Sequence, residues 1–217
     1  DQAFLEGMSQ QMAGTLFYGN TDANPERFLG LAHRFGTRNT ATPSAANVIH
    51  GGGSAGSNTS IWLVVWGELT VHGIIPKGSK AGLQHRDLGE QTLQDADGGK
   101  FQGYRTHYKW DAGLTLRDWR HVVRIANIDV PALDGVNAAD IIKLMIKATH
   151  RVPSLTAGMP VFYCNRDIRQ WLDIQALSKS NIQLKLEMVE GRPKTDFLGI
   201  PIKTCDQIHS DEATVPA

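Results

Sequence analysis

The sequence predicts an α+β fold, with a long N-terminal helix lying on long antiparallel strands and a second part that mixes helices and strands. Three observations predict it. Within Tyr104–Arg117, YRTHYKWDAGLTLR, the positions Tyr104, Thr106, Tyr108, Trp110, Ala112, Leu114 and Leu116 alternate with Arg105, His107, Lys109, Asp111, Gly113, Thr115 and Arg117. A period of two places the first set on one face of a strand and the second on the other. Phe4, Leu5, Met8, Met12 and Leu16 recur instead at helical spacing. Beyond Val130-Pro131, short apolar runs alternate with helical patterns.

Taken in order, Asp1 to about Phe17 reads as an amphipathic helix, with Asp1 and Glu6 near the positive end of its dipole and Gly19-Asn20 as its stop. From Thr21 to Ser60 the chain is rich in Asn, Thr, Ser, Gly, Ala and Pro, so loop is expected, anchored at Phe28–Leu31 and Val48-Ile49. Ile61–Trp66 and Thr70–Ile75 read as strands joined by a turn at Gly67–Leu69, and Pro76–Gly82 breaks the pattern. Leu83–Gln94 then pairs antiparallel with Phe101 onward around the turn residues Asp95-Ala-Asp-Gly-Gly99. At about 3.3 Å per residue, a strand over Tyr104–Arg117 reaches roughly 45 Å. After Asp118 the apolar phase moves to Trp119, Val123 and Ile125, as one extra residue in a β-bulge would make it, and the run continues toward Ile128. The aromatic face of this hairpin needs a cover, and the N-terminal helix is the expected one.

Further along, Asn137 is the expected N-cap, with Asp140 three residues on, of a helix carrying Ile141, Ile142, Met145 and Ala148 to about Arg151. Pro160–Cys164 is a short buried strand, and Asn165 caps a helix burying Ile168, Trp171, Leu172 and Leu177. Ile182, Leu184, Leu186 and Met188 alternate as a strand, Glu190–Pro193 turns, and Phe197–Ile202 forms short extended segments in which Pro201 favours an edge.

Composition narrows the function. The 217 residues are enough for a sizeable core, 41% hydrophobic and 20% charged. Lys+Arg and Asp+Glu both count 22, so no basic excess argues for sequence-specific nucleic-acid binding. The longest apolar run, Ile61–Trp66, is far short of the roughly twenty residues that span a bilayer. Cys164 and Cys205 are the only cysteines and read as two free thiols of a reducing compartment. The start without Met, directly into helical spacing, reads as a fragment.

Several short motifs imitate sites. His50-Gly-Gly-Gly-Ser-Ala-Gly56 matches an esterase oxyanion loop, a nucleophile elbow centred on Ser54 and a dinucleotide loop at once. An elbow needs a strand before the serine and a helix after it, whereas here another strand follows, so a flexible loop is expected. The eight histidines include no His-x-x-x-His pair, so no metal site is expected. Asp95 and Asp97 lack the Glu that completes a calcium loop and read as turn residues. Lys77 and Lys80 stand among glycines without the Walker order and read as a solvated loop. No catalytic residue, metal or cofactor is expected; a serine hydrolase using Ser54 is the least favoured alternative.

Phe4–Met8 with Thr15–Asn20, Phe28–Leu31, Ser60–Gly67, Pro76–Leu83, Lys109–Asp111, Arg117–Arg120 with Arg124–Asp129, and Phe162–Arg166 together resemble a group of tailed-bacteriophage major capsid proteins. The resemblance implies the HK97-type fold, with a peripheral domain (residues 1–19 and 83–130: spine helix and long hairpin) and an axial domain (20–82 and 131–217). The long strands precede the axial helices here, as in a minority branch with rearranged connectivity. The N-terminal arm and extended loop that usually precede the spine helix have no counterpart in the sequence.

A coat protein of this kind self-assembles into the icosahedral head of a phage or prophage, in the virion, after assembly in the host cytoplasm. Its implied partners are further copies in pentamers and hexamers, packaged double-stranded DNA by non-specific proximity, and portal, scaffold or decoration proteins. No membrane is implied. An encapsulin-like cage is the alternative, since that family shares the fold. Many modest contacts repeated over a closed lattice would supply its stability. The wet face bearing Arg105, His107, Lys109 and Asp111 is the candidate subunit interface, with a merely solvated face as the plain alternative. The aromatic face is expected to matter more: Trp110→Ala costs about 3 to 5 kcal/mol if that side chain is buried.

Overall fold

The computed structural model describes residues 2–54, 56–133, 140–177, 184–189 and 192–217. Its helices are α1 (Gln2–Tyr18), α2 (Leu31–Arg34), α3 (Ile141–Arg151) and α4 (Arg166–Leu177). Its strands are β1 (Val48–His50), β2 (Asn58–Trp66), β3 (Val71–Ile74), β4 (Leu83–Gln94), β5 (Lys100–Trp110), β6 (Gly113–Leu116), β7 (Val122–Asp129), β8 (Met159–Cys164), β9 (Leu184–Val189), β10 (Arg192–Phe197) and β11 (Ile200–Thr204). The chain divides into two compact units, residues 1–72 with 116–217, and residues 73–115.

The larger unit is built on a mixed sheet in the order β1-β7-β2-β8-β11-β10-β9. β2 lies antiparallel to both β7 and β8, whereas β1 with β7 and β8 with β11 are parallel. β2 runs NTSIWLVVW, and its apolar stretch Ile61–Trp66 is unbroken, as suits a strand covered on both faces. On one face Ile61, Leu63 and Val65 pack with Val123, Ile125 and Phe162 under Ile141, Met145 and Ala148 of α3 and Ile168 and Leu172 of α4. On the other, Trp62 meets Phe17 from the end of α1 at a ring distance of 5.8 Å and Phe35 at 6.2 Å.

The helix caps follow the sequence only in part. Asn165 Oδ1 accepts from Ile168 N at 3.0 Å, the expected N-cap of α4. Asp140 caps α3 by accepting from Lys143 N at 3.0 Å. The expected cap Asn137 lies outside the described residues, as do Ile182, Glu190 and Gly191. The segment expected to be loop from Thr21 to Ser60 contains α2, a 3-10 turn over Pro43–Asn47 and β1, because Leu31, Phe35, Val48 and Ile49 are buried against the sheet. Pro201, expected at an edge, lies in β11 between β8 and β10. The ladder to β8 begins one residue later, at Ile202, so the missing N–H removes no bond on that side. Leu198 and Gly199 both have positive φ, 51° and 79°, and make the two-residue turn that brings Phe197 opposite Ile200.

The smaller unit contains the hairpin. β4 pairs antiparallel with β5 from Leu83 opposite Trp110 to Gln94 opposite Lys100, as expected. The turn is fixed by Asp95, whose Oδ1 accepts from Asp97 N at 3.0 Å and Gly99 N at 2.8 Å. Three expectations are corrected. The strand does not run unbroken from Tyr104 to Arg117: β5 ends at Trp110, and Asp111-Ala112 separates it from β6. The phase change after Asp118 is a 3-10 turn over Trp119–His121, not a bulge, and beyond it β7 belongs to the middle of the large sheet. Finally, the aromatic face carries no full cover, since Tyr104 is 84% exposed. An alternating pattern secures a strand, but burial also requires an opposing surface. The buried residues of α1 are Thr15 and Phe17, in its last turns, while Phe4 is 70% exposed. Trp110 is only half-buried, so Trp110→Ala is expected to cost about 1 to 2 kcal/mol in urea melts rather than the loss of a core aromatic.

Asp118 starts the 3-10 turn by accepting from Arg120 N at 3.0 Å, and its carboxylate also takes Arg120 Nη2 at 2.8 Å. The Arg120 side chain is the main reason its pKa falls from 3.8 to about 2. A depressed carboxylate stabilises the fold above its unfolded value, and that stability is lost as pH falls through the folded one. The acid limb of the stability curve should therefore slope between about pH 4 and pH 2 on this account. Asp118→Asn should flatten that window in pH-dependent melts.

Candidate functional site

The expected interface residues lie in the hairpin unit, and the structure brings three of them together. Lys109 Nζ lies 2.7 Å from Asp111 Oδ2, which also accepts from Ser79 Oγ at 2.6 Å. Ser79 Oγ in turn accepts from Gln84 Nε2 at 3.0 Å, which ties the loop after Pro76 to the start of β4. The Lys109 ammonium, then the Ser79 hydroxyl, hold the Asp111 carboxyl below its usual range. His107, Lys109 and Asp111 line one concavity of about 960 Å³ together with Lys77, Lys80 and Arg86. Arg105 is exposed further along β5, opposite the irregularity between Asp87 and Glu90, and does not line it. Period-two alternation found the strand face. It could not show that the Lys77–Lys80 loop, read as merely solvated, folds over the same hollow.

A second constellation, in the larger unit, was not read from the sequence. Arg124 on β7 is buried, and its guanidinium donates from Nη2 to Glu212 Oε2 at 3.0 Å, from Nε to Ser60 Oγ at 3.0 Å and from Nη1 to the Phe35 carbonyl at 3.0 Å. Its Cζ lies 5.0 Å from the Trp62 ring centroid, in cation–π range. Ser60 donates to Glu212 Oε2 and Tyr18 to Glu212 Oε1. Burial, and then the Glu212 carboxylate, push the Tyr18 phenol up, so it stays a donor. One carboxylate near the C-terminal end thus answers three donors from α1, β2 and β7.

The same tail is held further on. Between the pairs Thr59–Ile128 and Ile61–Ile125, two residues of β7 stand opposite Ser60 alone, a bulge in which Asn127 adopts φ 59°. This turns its side chain onto the tail: Oδ1 accepts from Val215 N at 2.7 Å and Nδ2 donates to Val215 O at 3.1 Å. The bulge also explains the glycine tract. Gly51 N and Gly53 N donate to the Ala126 and Asn127 carbonyls at 2.7 and 2.8 Å, and a Cβ on either glycine would come within 2.8 Å of the Asn127 carbonyl. The tract expected to be a flexible loop is pinned against β7 for packing reasons.

Ser54 lies between β1 and β2, so the next described element after it is a strand and not the helix that a nucleophile elbow requires. Both cysteines are free, and burial pushes the Cys164 thiol up to about 12, which leaves it unreactive. Among the described residues no helix is long and apolar enough to cross a membrane.

A sequence model of the family "Major capsid protein GP7" matches residues 1–216. The fold is similar to that of a chain in a cryo-EM structure of bacteriophage Epsilon15, with a TM-score of 0.71 and 36% identity, covering 100% of this chain and 66% of that one. The chain thus spans about two thirds of the length of that relative. No curated protein matches the sequence. The family match and the similarity of fold place the chain in the class of bacteriophage major capsid proteins. The chain belongs to the major capsid protein GP7 family.

Proposed function

We propose that this chain is the structural subunit of a tailed-phage or prophage head, that its copies assemble through pentamers and hexamers into an icosahedral shell of the HK97 type, and that the shell encloses double-stranded DNA. The observation that carries this reading is the family match over residues 1–216. The exposed Tyr104 and Phe101 on the hairpin support it, being large apolar groups open to solvent in one copy. Arg105, His107, Lys109 and Asp111 are read as part of the contact between copies. The assignment of residues 1–19 and 83–130 to the capsomer periphery and of 20–82 and 131–217 to its axis is part of the same proposal, to be checked by cross-linking assembled shells. Portal, scaffold or decoration partners and assembly in a bacterial cytoplasm complete it.

Electron microscopy of the purified gene product tests the reading. Closed shells containing nuclease-protected DNA are expected after expression with the packaging proteins. Shells filled with a cargo enzyme would instead favour an encapsulin-like cage, and a dispersed monomer under all assembly conditions would overturn both.

A further inference from the structure

We propose that the hairpin of one copy docks head to tail on the hairpin of a second copy, its acidic outer turn seated in the basic concavity at the other's inner end. Charge differs between the two ends of this unit. Residues 90–100 carry Glu90, Asp95 and Asp97 against Lys100 alone, while the concavity carries Lys77, Lys80, Arg86 and Lys109 against Asp111 alone, with Asp87 and Arg105 between the two. The chain as a whole balances at zero, so this separation is a local feature and not a by-product of net charge.

The two ends cannot neutralise each other within one copy. From Gln84 to Asp95 the strand extends about 35 Å at 3.3 Å per residue, several times the screening length of about 8 Å at physiological salt. Each end is left for a partner. The Lys109 charge is already answered by Asp111 at 2.7 Å, which leaves the exposed Lys77, Lys80 and Arg86 around the hollow of about 960 Å³ to receive an acidic group. The outer turn suits that role. Asp95 N donates to Gly99 O at 3.0 Å, and the Asp95 carboxylate accepts from two backbone amides of the same turn, so little ordering is left for docking to complete.

Because the two patches differ, the contact is heterologous: it passes from copy to copy and closes into a ring where the rotation allows. For that ring the inference rests on the coat-subunit reading; the pairwise contact stands apart from it and is measured in solution. Two exposed double reversals separate the ends, Lys77→Glu with Lys80→Glu and Glu90→Lys with Asp97→Lys, both checked for native far-UV dichroism. In sedimentation velocity of the gene product, the unaltered chain is expected to self-associate at low salt and to lose at least about tenfold in association constant at high salt as screening shortens the range of attraction. Each reversal alone should lose at least about tenfold. An equimolar mixture of the two should recover, since each acidic groove then meets a basic turn and each basic groove an acidic one.

An unaltered chain that stays monomeric at low salt, reversals that associate as it does, or a mixture that fails to recover would each overturn the docking. Absence of shells in micrographs, with the mixing result intact, would overturn only the coat-subunit reading.

Discussion

Replacing Glu212 by Ala is expected to cost about 3 to 5 kcal/mol of stability, the loss found when one partner of a buried ion pair is removed and the other stays behind. The side chains of Arg124 and Glu212 are each only 5% exposed, so neither charge has water to fall back on. Glu212→Ala strands the Arg124 guanidinium and at the same time removes the acceptor of Tyr18 and Ser60. Arg124→Met combined with Glu212→Leu should recover most of the loss, since an apolar pair of similar volume needs no desolvation of ions. Urea melts followed by far-UV dichroism give both numbers. A loss under about 1 kcal/mol for the single variant would mean that water reaches the cluster and that its burial has been misread.

Trp62→Ala is expected to cost a similar amount, about 3 to 5 kcal/mol. Trp62 is fully buried in the middle of β2. It meets Phe17 and Phe35 and lies under the Arg124 guanidinium, so truncation leaves a cavity on the sheet face that α1 and the tail cover. Trp62→Phe should recover more than half of the loss, because it restores most of the buried area. The two effects should be less than additive when combined with Glu212→Ala, since both variants loosen the same packing. Additivity within about 0.5 kcal/mol would show the ring and the ion pair to be independent.

The contrast between Trp62 and Trp110 shows what pattern alone could supply. Both stand in strands that the sequence marks clearly, one in an apolar run and one in an alternating segment. The continuous run of β2 was read only as a strand, and the sheet covers it on both sides. The alternation of β5 implied cover on one side, and the half-buried Trp110 beside the open Tyr104 shows that a single copy does not supply it in full. Local signals were enough for the hairpin, its Asp95 turn, the Asn165 cap and the short strand Met159–Cys164, because each rests on neighbours in sequence. They were not enough for Pro201, whose tolerance depends on where the β8 ladder begins, nor for the glycine tract, whose cause is the bulge at Asn127 on a strand far along the chain. The candidate interface was legible as a polar phase, while its concavity depends on a loop folding over that phase. The Arg124 cluster was hidden altogether. A serine and an arginine in apolar strands were its only sequence signal, and nothing in the pattern pairs them with a glutamate near the other end.

That glutamate bears on how the chain reaches its native state. Glu212 joins partners 88, 152 and 194 positions earlier, at Arg124, Ser60 and Tyr18. Contacts that close such long loops reward the chain only after most of its freedom has been given up, and folds dominated by them form slowly. The tail should therefore dock after the rate-limiting barrier. Loss of Glu212 would then hasten unfolding and leave the folding rate nearly unchanged, a φ-value close to zero. A subunit held shut by its last-formed contact has a lifetime set there, so resistance to slow unfolding should track the Arg124 cluster more closely than the speed with which the sheet forms.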